Sequence, residues 1–264
     1  MPPHLTVHGA RGSYPVSGHR YCRYGGGTSC FSVETPEGML ILDAGTGLAS
    51  FGDELVRRAT LPPITILLTH VHLDHVMGLP AFKPFFRKDA RITLMGRSTP
   101  SGRWRRAVST IFGQPFWPVG LSDAEAAVRF EDLAGRGPRT LCGVQVSWCP
   151  VRHPQGAWSF RLETSGGVMV LATDREHGDR RLDRRFLNFC READGLIHDA
   201  QYLPAEYPRH RGWGHSTWTQ AARVARAARV ETLVLTSHDP ARTDADIDRI
   251  VGQTRRIFPH TVGA

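Results

Sequence analysis

Apolar positions in this chain fall in short runs separated by turns that carry glycine or proline, a spacing that predicts many strands and few long helices. LTVHGARG comes first, and TSCFSVETPEGMLILDAGTG follows as two β-rich runs around Pro36-Glu37-Gly38, so the opening third predicts a β-meander with a hairpin turn. ITILLTH predicts a short buried strand that ends on Thr69-His70, and VMGLPAFKPFF a helix start broken by Pro80 and Pro84. From about 97 to 139 the chain is rich in arginine, proline and tryptophan without a countable period, and this stretch is expected to be an insertion or lid. Strands resume with VQVSWCPV, WSFRLE and GVMVLATD, the last ending on Asp174, and LIHDAQY carries Asp199. HSTWTQAARVARAARV then predicts a helix with Ser216 or Thr217 as N-cap, followed by a strand, LVLTSH, that ends on His238.

This alternation predicts the α/β class. It also places His70, Asp174, Asp199 and His238 at the C-terminal ends of separate apolar strands, where open α/β sheets put their sites. With 264 residues, 41% of them hydrophobic, the chain is expected to bury one core as a single domain over 1–264. No run of eighteen apolar residues and no signal-peptide pattern is present, so no membrane association is expected and the cytoplasm is the expected compartment. The five cysteines form no C-x-x-C pair and fit reduced thiols. A formal charge of +8 suits a polyanionic partner, but the arginines are scattered without a contiguous stripe, which argues against stable nucleic-acid binding; a homodimer is compatible with the sequence.

The candidate chemistry starts in LLTHVHLDHVMGLP, where His70, His72, Asp74 and His75 crowd into six positions behind an apolar run. Imidazole and carboxylate donors at this density suit zinc, manganese or iron at a hydrolytic site. On extended backbone His70 and His72 share a face, and a turn after them swings Asp74 and His75 toward a second ion. Two ions need more ligands, and the other strand ends offer His153 in VRHPQGAWSF, Asp174 in LATDREH and His238 in LTSHDP, with an aspartate suited to bridging.

The order His70-x-His72-x-Asp74-His75, His153, Asp174, His238 resembles the metallo-β-lactamase superfamily of hydrolases, along nearly the whole chain. The resemblance implies an αββα sandwich, with Asp43 in LILDAGTGL supporting the metal loop. The stretch IHDAQY, GWGHSTWTQAARVARAA, LVLTSHDP is similar to the ribonuclease Z and cyclic-nucleotide phosphodiesterase branch, where the histidine of an H-S-T motif, here His215, reaches the site. That branch implies a phosphodiesterase with two divalent ions, zinc first and manganese or iron as alternatives. His70, His72, His153 and Asp174 would hold one ion, and Asp74, His75, Asp174 and His238 the other. A bridging hydroxide would attack, Asp74 would take up the water's proton, and His215 would serve as general acid with Asp199 fixing its tautomer.

Ribonuclease Z carries a long protruding tRNA-binding arm between the matches of His153 and Asp174. Here only PQGAWSFRLETSGGVMVLAT fills that interval, so a small phosphodiester such as a cyclic nucleotide is the expected substrate. Gly27, where relatives often show asparagine, and the aromatic Phe116-Trp117 also depart from the pattern. Trp213, Tyr202 and Tyr207 stand near His215 as nucleobase-stacking candidates, although packing is the better explanation of each. A lactonase or thioesterase on the same metal pair, an RNA-processing endonuclease, and a metal-binding regulatory or nucleic-acid-binding module are the competing readings.

Overall fold

The apolar runs do become strands, and they assemble into two mixed sheets. A computed structural model describes residues 4–97, 102–135 and 137–264. Within it the chain divides into two compact units, the first built mainly of Gly27–Gly135 and the second mainly of Gln145–Ala264, with Ala10–Gly26 joining the second.

In the first unit, β1 (Leu5–Gly9), β2 (Cys30–Thr35) and β3 (Gly38–Leu42) form the antiparallel meander that the turn at Pro36-Glu37 predicts. Then β4 (Ile64–Leu67), β5 (Arg91–Arg97) and β6 (Ala127–Leu133) add on in parallel, in the order β1-β2-β3-β4-β5-β6. All four β4 side chains are buried, and such strands read as unbroken apolar runs because both faces are covered. Met39, Ile41, Ile64, Ile66, Ile92 and Leu94 meet Leu48 and Phe51 of α1 (Gly47–Leu55) in the core, each aliphatic side chain contributing about 1.5–3 kcal/mol by leaving water.

One expectation changes here, and one stretch without a countable period gains regular structure. Residues 76–86 form no α-helix: Pro80 and Pro84 confine the segment to 3₁₀ turns at Leu79–Ala81 and Lys83–Phe86, and Phe82 and Phe85 are nonetheless fully buried. The 97–139 stretch carries regular structure in its described part. It holds α2 (Arg103–Ile111), whose Trp104 and Val108 enter the core, and β6, a full edge strand paired with β5 over seven positions. Periodicity hid β6 because an edge strand with charged residues on one side, as in AVRFEDL, carries little apolar signal.

The second sheet runs β13-β12-β11-β10-β9-β8-β7. Here β7 is Arg139–Leu141, β8 Val144–Val151, β9 Ala157–Thr164, β10 Gly167–Ala172, β11 Gly195–Asp199, β12 Thr232–Thr236 and β13 Thr261–Gly263. Strands β10 to β13 are parallel, and β8–β9–β10 are antiparallel. The described residues of this unit also form the α-helices α3 (Arg180–Cys190), α4 (Trp218–Ala228) and α5 (Asp244–Arg255). Helix α4 buries Ala221, Ala222, Ala225 and Ala228, small residues on one face that let the helix lie close to its neighbours. Thr217, rather than Ser216, is its N-cap, in a capping box with Gln220. Ser216 instead donates its hydroxyl to the Arg175 carbonyl at 2.7 Å.

Parallel register brings strand ends to one edge. Ala172 pairs with His198, and Asp199 pairs with Thr236, so the residues just past β10, β11 and β12 emerge together. β8 reaches the same edge through two antiparallel steps. All five cysteines are free. Among the described residues, no helix is long and apolar enough to cross a membrane.

Candidate functional site

In the first unit the chain leaves β4 and turns through Leu73–His75, a 3₁₀ turn whose backbone closes from His75 N–H to the His72 carbonyl at 3.0 Å. Gly78 makes this turn's seat: a Cβ there would stand 2.0 Å from the Gly45 carbonyl oxygen, so only glycine permits the backbone approach. The turn brings His70, His72, Asp74 and His75 together. The His70 ring lies 4.6 Å from His72 and 4.2 Å from His75, and His75 Nε2 lies 3.4 Å from Asp74 Oδ2.

Asp43 organises the cluster. It sits fully buried in left-handed backbone, at φ 60°, and its carboxylate accepts the Thr69 N–H at 2.8 Å, the Thr69 hydroxyl at 2.9 Å, the Ser29 hydroxyl at 3.3 Å and His75 Nδ1–H at 2.8 Å. Because the Thr69 hydroxyl donates to Asp43, its oxygen accepts His70 Nδ1–H at 3.0 Å. One carboxylate therefore fixes the tautomer of His75 directly and that of His70 through Thr69, leaving the lone pair of each ring on Nε2.

The second unit repeats the device with other partners. His153, two residues past β8, donates Nδ1–H to the Gly214 carbonyl at 2.8 Å, and its Nε2 lies 3.6 Å from Asp174 Oδ2. His215 donates Nδ1–H to Asp199 Oδ2 at 2.9 Å, and its Nε2 lies 3.8 Å from the same Asp174 oxygen. Burial pulls Asp199 above the ordinary carboxylate range, with the His215 contact acting in the opposite direction. The donor atoms of Asp174, Asp199 and His215 lie within 4.8 Å of one another, and all three residues are buried. Tyr202 packs edge-on against His215 at 5.9 Å and is itself buried.

His238 is held from both sides of its backbone: Gly12 N–H donates to its carbonyl at 3.0 Å, and its N–H donates to the Ala10 carbonyl at 2.9 Å. Burial first, and then the charge of buried Arg11, push its imidazole down to about 3, so it is neutral at pH 7. Its Nε2 is buried without a hydrogen-bond partner among the described residues. The preceding residue, Ser237, sits 3.5 Å from Asp174 Oδ1 through its hydroxyl.

These features fit divalent metal. Imidazoles whose Nδ1–H is engaged, as in His70, His75 and His153, so that Nε2 is the ligand atom, set among buried carboxylates and without a thiolate, form the nitrogen and oxygen donor set that borderline ions such as Zn²⁺ accept. Sequence reasoning missed three contributors. Arg175 and Glu176 were passed over in the polar run REHGDRR, and the Gly214 carbonyl leaves no trace in a side-chain pattern, since only its left-handed φ of 91° marks it. His198 is a fourth buried group: its Nδ1–H bonds the Asp199 carbonyl at 2.7 Å, and burial followed by the Arg175 charge pushes it down to about 3. Of the stacking candidates, Tyr207 donates its hydroxyl to Glu176 at 3.1 Å, and Trp213 remains exposed.

A model of the beta-lactamase superfamily domain matches residues 39–238. Among curated relatives, a ribonuclease Z of Archaeoglobus fulgidus is 36% identical over 237 residues, covering 75% of this chain and 76% of the relative. Among solved structures, the metallo-beta-lactamase fold protein YhfI from Bacillus subtilis superposes with a TM-score of 0.75 at 17% identity, covering 100% of this chain and 96% of that one. A diphosphatase from the PhnP family does so with a TM-score of 0.70 at 19% identity, over 100% and 95% of the two chains. At these identities the structural likenesses establish the fold.

Proposed function

The chain belongs to the beta-lactamase superfamily, and from that premise we propose that it is a two-metal phosphodiesterase acting on small phosphodiesters, cyclic nucleotides among them. It is a metal-dependent hydrolase of the metallo-β-lactamase fold. The observation that carries the finer reading is the pairing of His153 and His215, both tethered through Nδ1 and both presenting Nε2 within 4 Å of Asp174 Oδ2, at 3.6 and 3.8 Å.

His70, His72, His153 and Asp174 are assigned to one ion, and Asp74, His75, Asp174 and His238 to the other, with zinc the first choice. When bound, such ions supply Lewis-acid charge to the phosphate oxygens and a water acidic enough to attack near neutral pH. The chain's own residues do the rest. Asp43 and Gly214 hold imidazole rings in their ligand tautomers, and Asp74 takes up a proton from the attacking water. His215, as an imidazolium that keeps its Nδ1–H on Asp199, gives the proton of Nε2 to the leaving oxygen and is left with a lone pair there. The five free cysteines support a reducing compartment, the cytoplasm.

The interval between His153 and Asp174 supports a small substrate. It is filled by β9 and β10, paired from Gly167–Thr164 to Leu171–Phe160, with only Ser165 and Gly166 between them and no protruding arm to hold a folded RNA. A second reading is an RNA-processing endonuclease, favoured by the relative named ribonuclease Z. One experiment separates the two. Zinc- or manganese-loaded protein is offered cyclic mononucleotides, bis(p-nitrophenyl) phosphate, a lactone, a thioester and a precursor tRNA. Turnover of the small diesters well above the rest is expected, and site-specific release of a tRNA trailer as the fastest reaction would transfer the assignment to the second reading.

A further inference from the structure

Glu176 stands two residues past Asp174 and is 2% exposed, an expensive place for a carboxylate that neither metal shell uses. Both of its oxygens are engaged. Oε1 accepts the Gly212 N–H at 2.7 Å and the Tyr207 hydroxyl at 3.1 Å, and Oε2 accepts the Gly214 N–H at 3.2 Å, with Arg152 Nε 3.9 Å away. All three donors lie on the segment 207–214, which has only a 3₁₀ turn at Tyr207–Arg209 as regular structure. A single buried side chain thus straps an irregular segment to the end of β10, the same strand that delivers Asp174.

The strapped segment ends where the chemistry begins. Gly214 adopts left-handed backbone, and a Cβ at that position would stand 2.2 Å from His153 Nδ1. Its N–H goes to Glu176, its carbonyl receives His153 Nδ1–H at 2.8 Å, and the next residue is His215. We propose that Glu176 is a positioning residue of this site: acting through Gly214, it fixes the tautomer and orientation of His153 and the entry of His215. A ring whose partner carbonyl is itself immobilised keeps its proton on Nδ1 and its lone pair on Nε2, the form that a metal ligand requires. The inference rests on the phosphodiesterase reading for what His153 and His215 do, and its deciding readouts, tautomer and zinc affinity, do not depend on turnover.

Glu176→Gln is the informative change, because it preserves volume while reversing one contact. Whichever way the amide is placed, its NH₂ faces a donor, either Gly214 N–H or the Gly212 and Tyr207 pair. In ¹⁵N-histidine spectra of the metal-free protein, His153 is expected wholly as the Nδ1–H tautomer in the wild type and as a mixture in Glu176→Gln. Zinc affinity should fall about 10- to 100-fold, the usual cost of losing a group that orients a ligand. With a small diester, kcat should fall while KM holds. Tyr207→Phe, which leaves both glycine contacts in place, should keep the wild-type tautomer. A folded Glu176→Gln with unchanged tautomer and zinc affinity overturns the proposal. If that variant does not fold, the wild type decides: a protected Gly214 amide with an Nδ1–H His153 upholds the proposal, and rapid Gly214 exchange or an Nε2–H ring overturns it. A wild type that shows both signatures but cleaves no diester sinks the phosphodiesterase reading alone.

Discussion

Replacing Asp174 by alanine is expected to abolish hydrolysis, lowering it about a thousandfold or more, and to weaken both metals together. The magnitude follows from the several kcal/mol of charge stabilisation that metal ions supply, at tenfold in rate per 1.36 kcal/mol. The joint loss follows from the position of this carboxylate. Oδ2 lies 3.6 Å from His153 Nε2 and 3.8 Å from His215 Nε2, while Oδ1 is 3.5 Å from the Ser237 hydroxyl, next to His238. A group assigned to both shells takes both with it, whereas His153→Ala should weaken mainly one ion. Zinc titrations of the two variants compare the cases directly, and loss of a single ion from each would mean that Asp174 does not bridge.

The second large effect is expected at His215. Its ring is anchored by Asp199 at 2.9 Å, and Asp199 is in turn held by Gln201 N–H at 3.0 Å and Arg175 N–H at 3.2 Å, so the imidazole cannot turn without breaking a buried network. A general acid held in this way contributes about 10²- to 10⁴-fold when the leaving group is a poor one. A sugar alkoxide leaves badly without a proton, and p-nitrophenolate departs almost unaided. His215→Ala should therefore cripple hydrolysis of a nucleotide diester far more than that of bis(p-nitrophenyl) phosphate, with metal content unchanged. Equal losses on both substrates would show that His215 holds a phosphate oxygen instead, and no loss on either would make it a helix-entry residue.

Much of the architecture was legible in the sequence because strand-end chemistry is local. His70 to His75, Asp174, Asp199 and His238 follow short apolar runs, and the parallel register of β10, β11 and β12 brings the last three to one sheet edge without any long-range information beyond the runs themselves. What stayed hidden was of two kinds. Edge strand β6 and helix α2 lacked apolar contrast because their outer faces are charged, so periodicity gave no sign of the Trp104 and Val108 core contacts. Glu176 and Gly214 act through main-chain donors and acceptors. A pattern of side chains registers a glutamate in a polar loop and a glycine before a histidine, but it cannot register that the amide of one reaches the carboxylate of the other across 38 positions.

A two-metal centre binds two ions per chain, and that number can be counted. Elemental analysis after gentle purification, followed by zinc and manganese titration of the stripped protein, should give close to two transition-metal ions per chain, because seven nitrogen and oxygen donors exceed what one tetrahedral ion can use. A stoichiometry that stays at or below one with both metals in excess would rule out the two-metal centre.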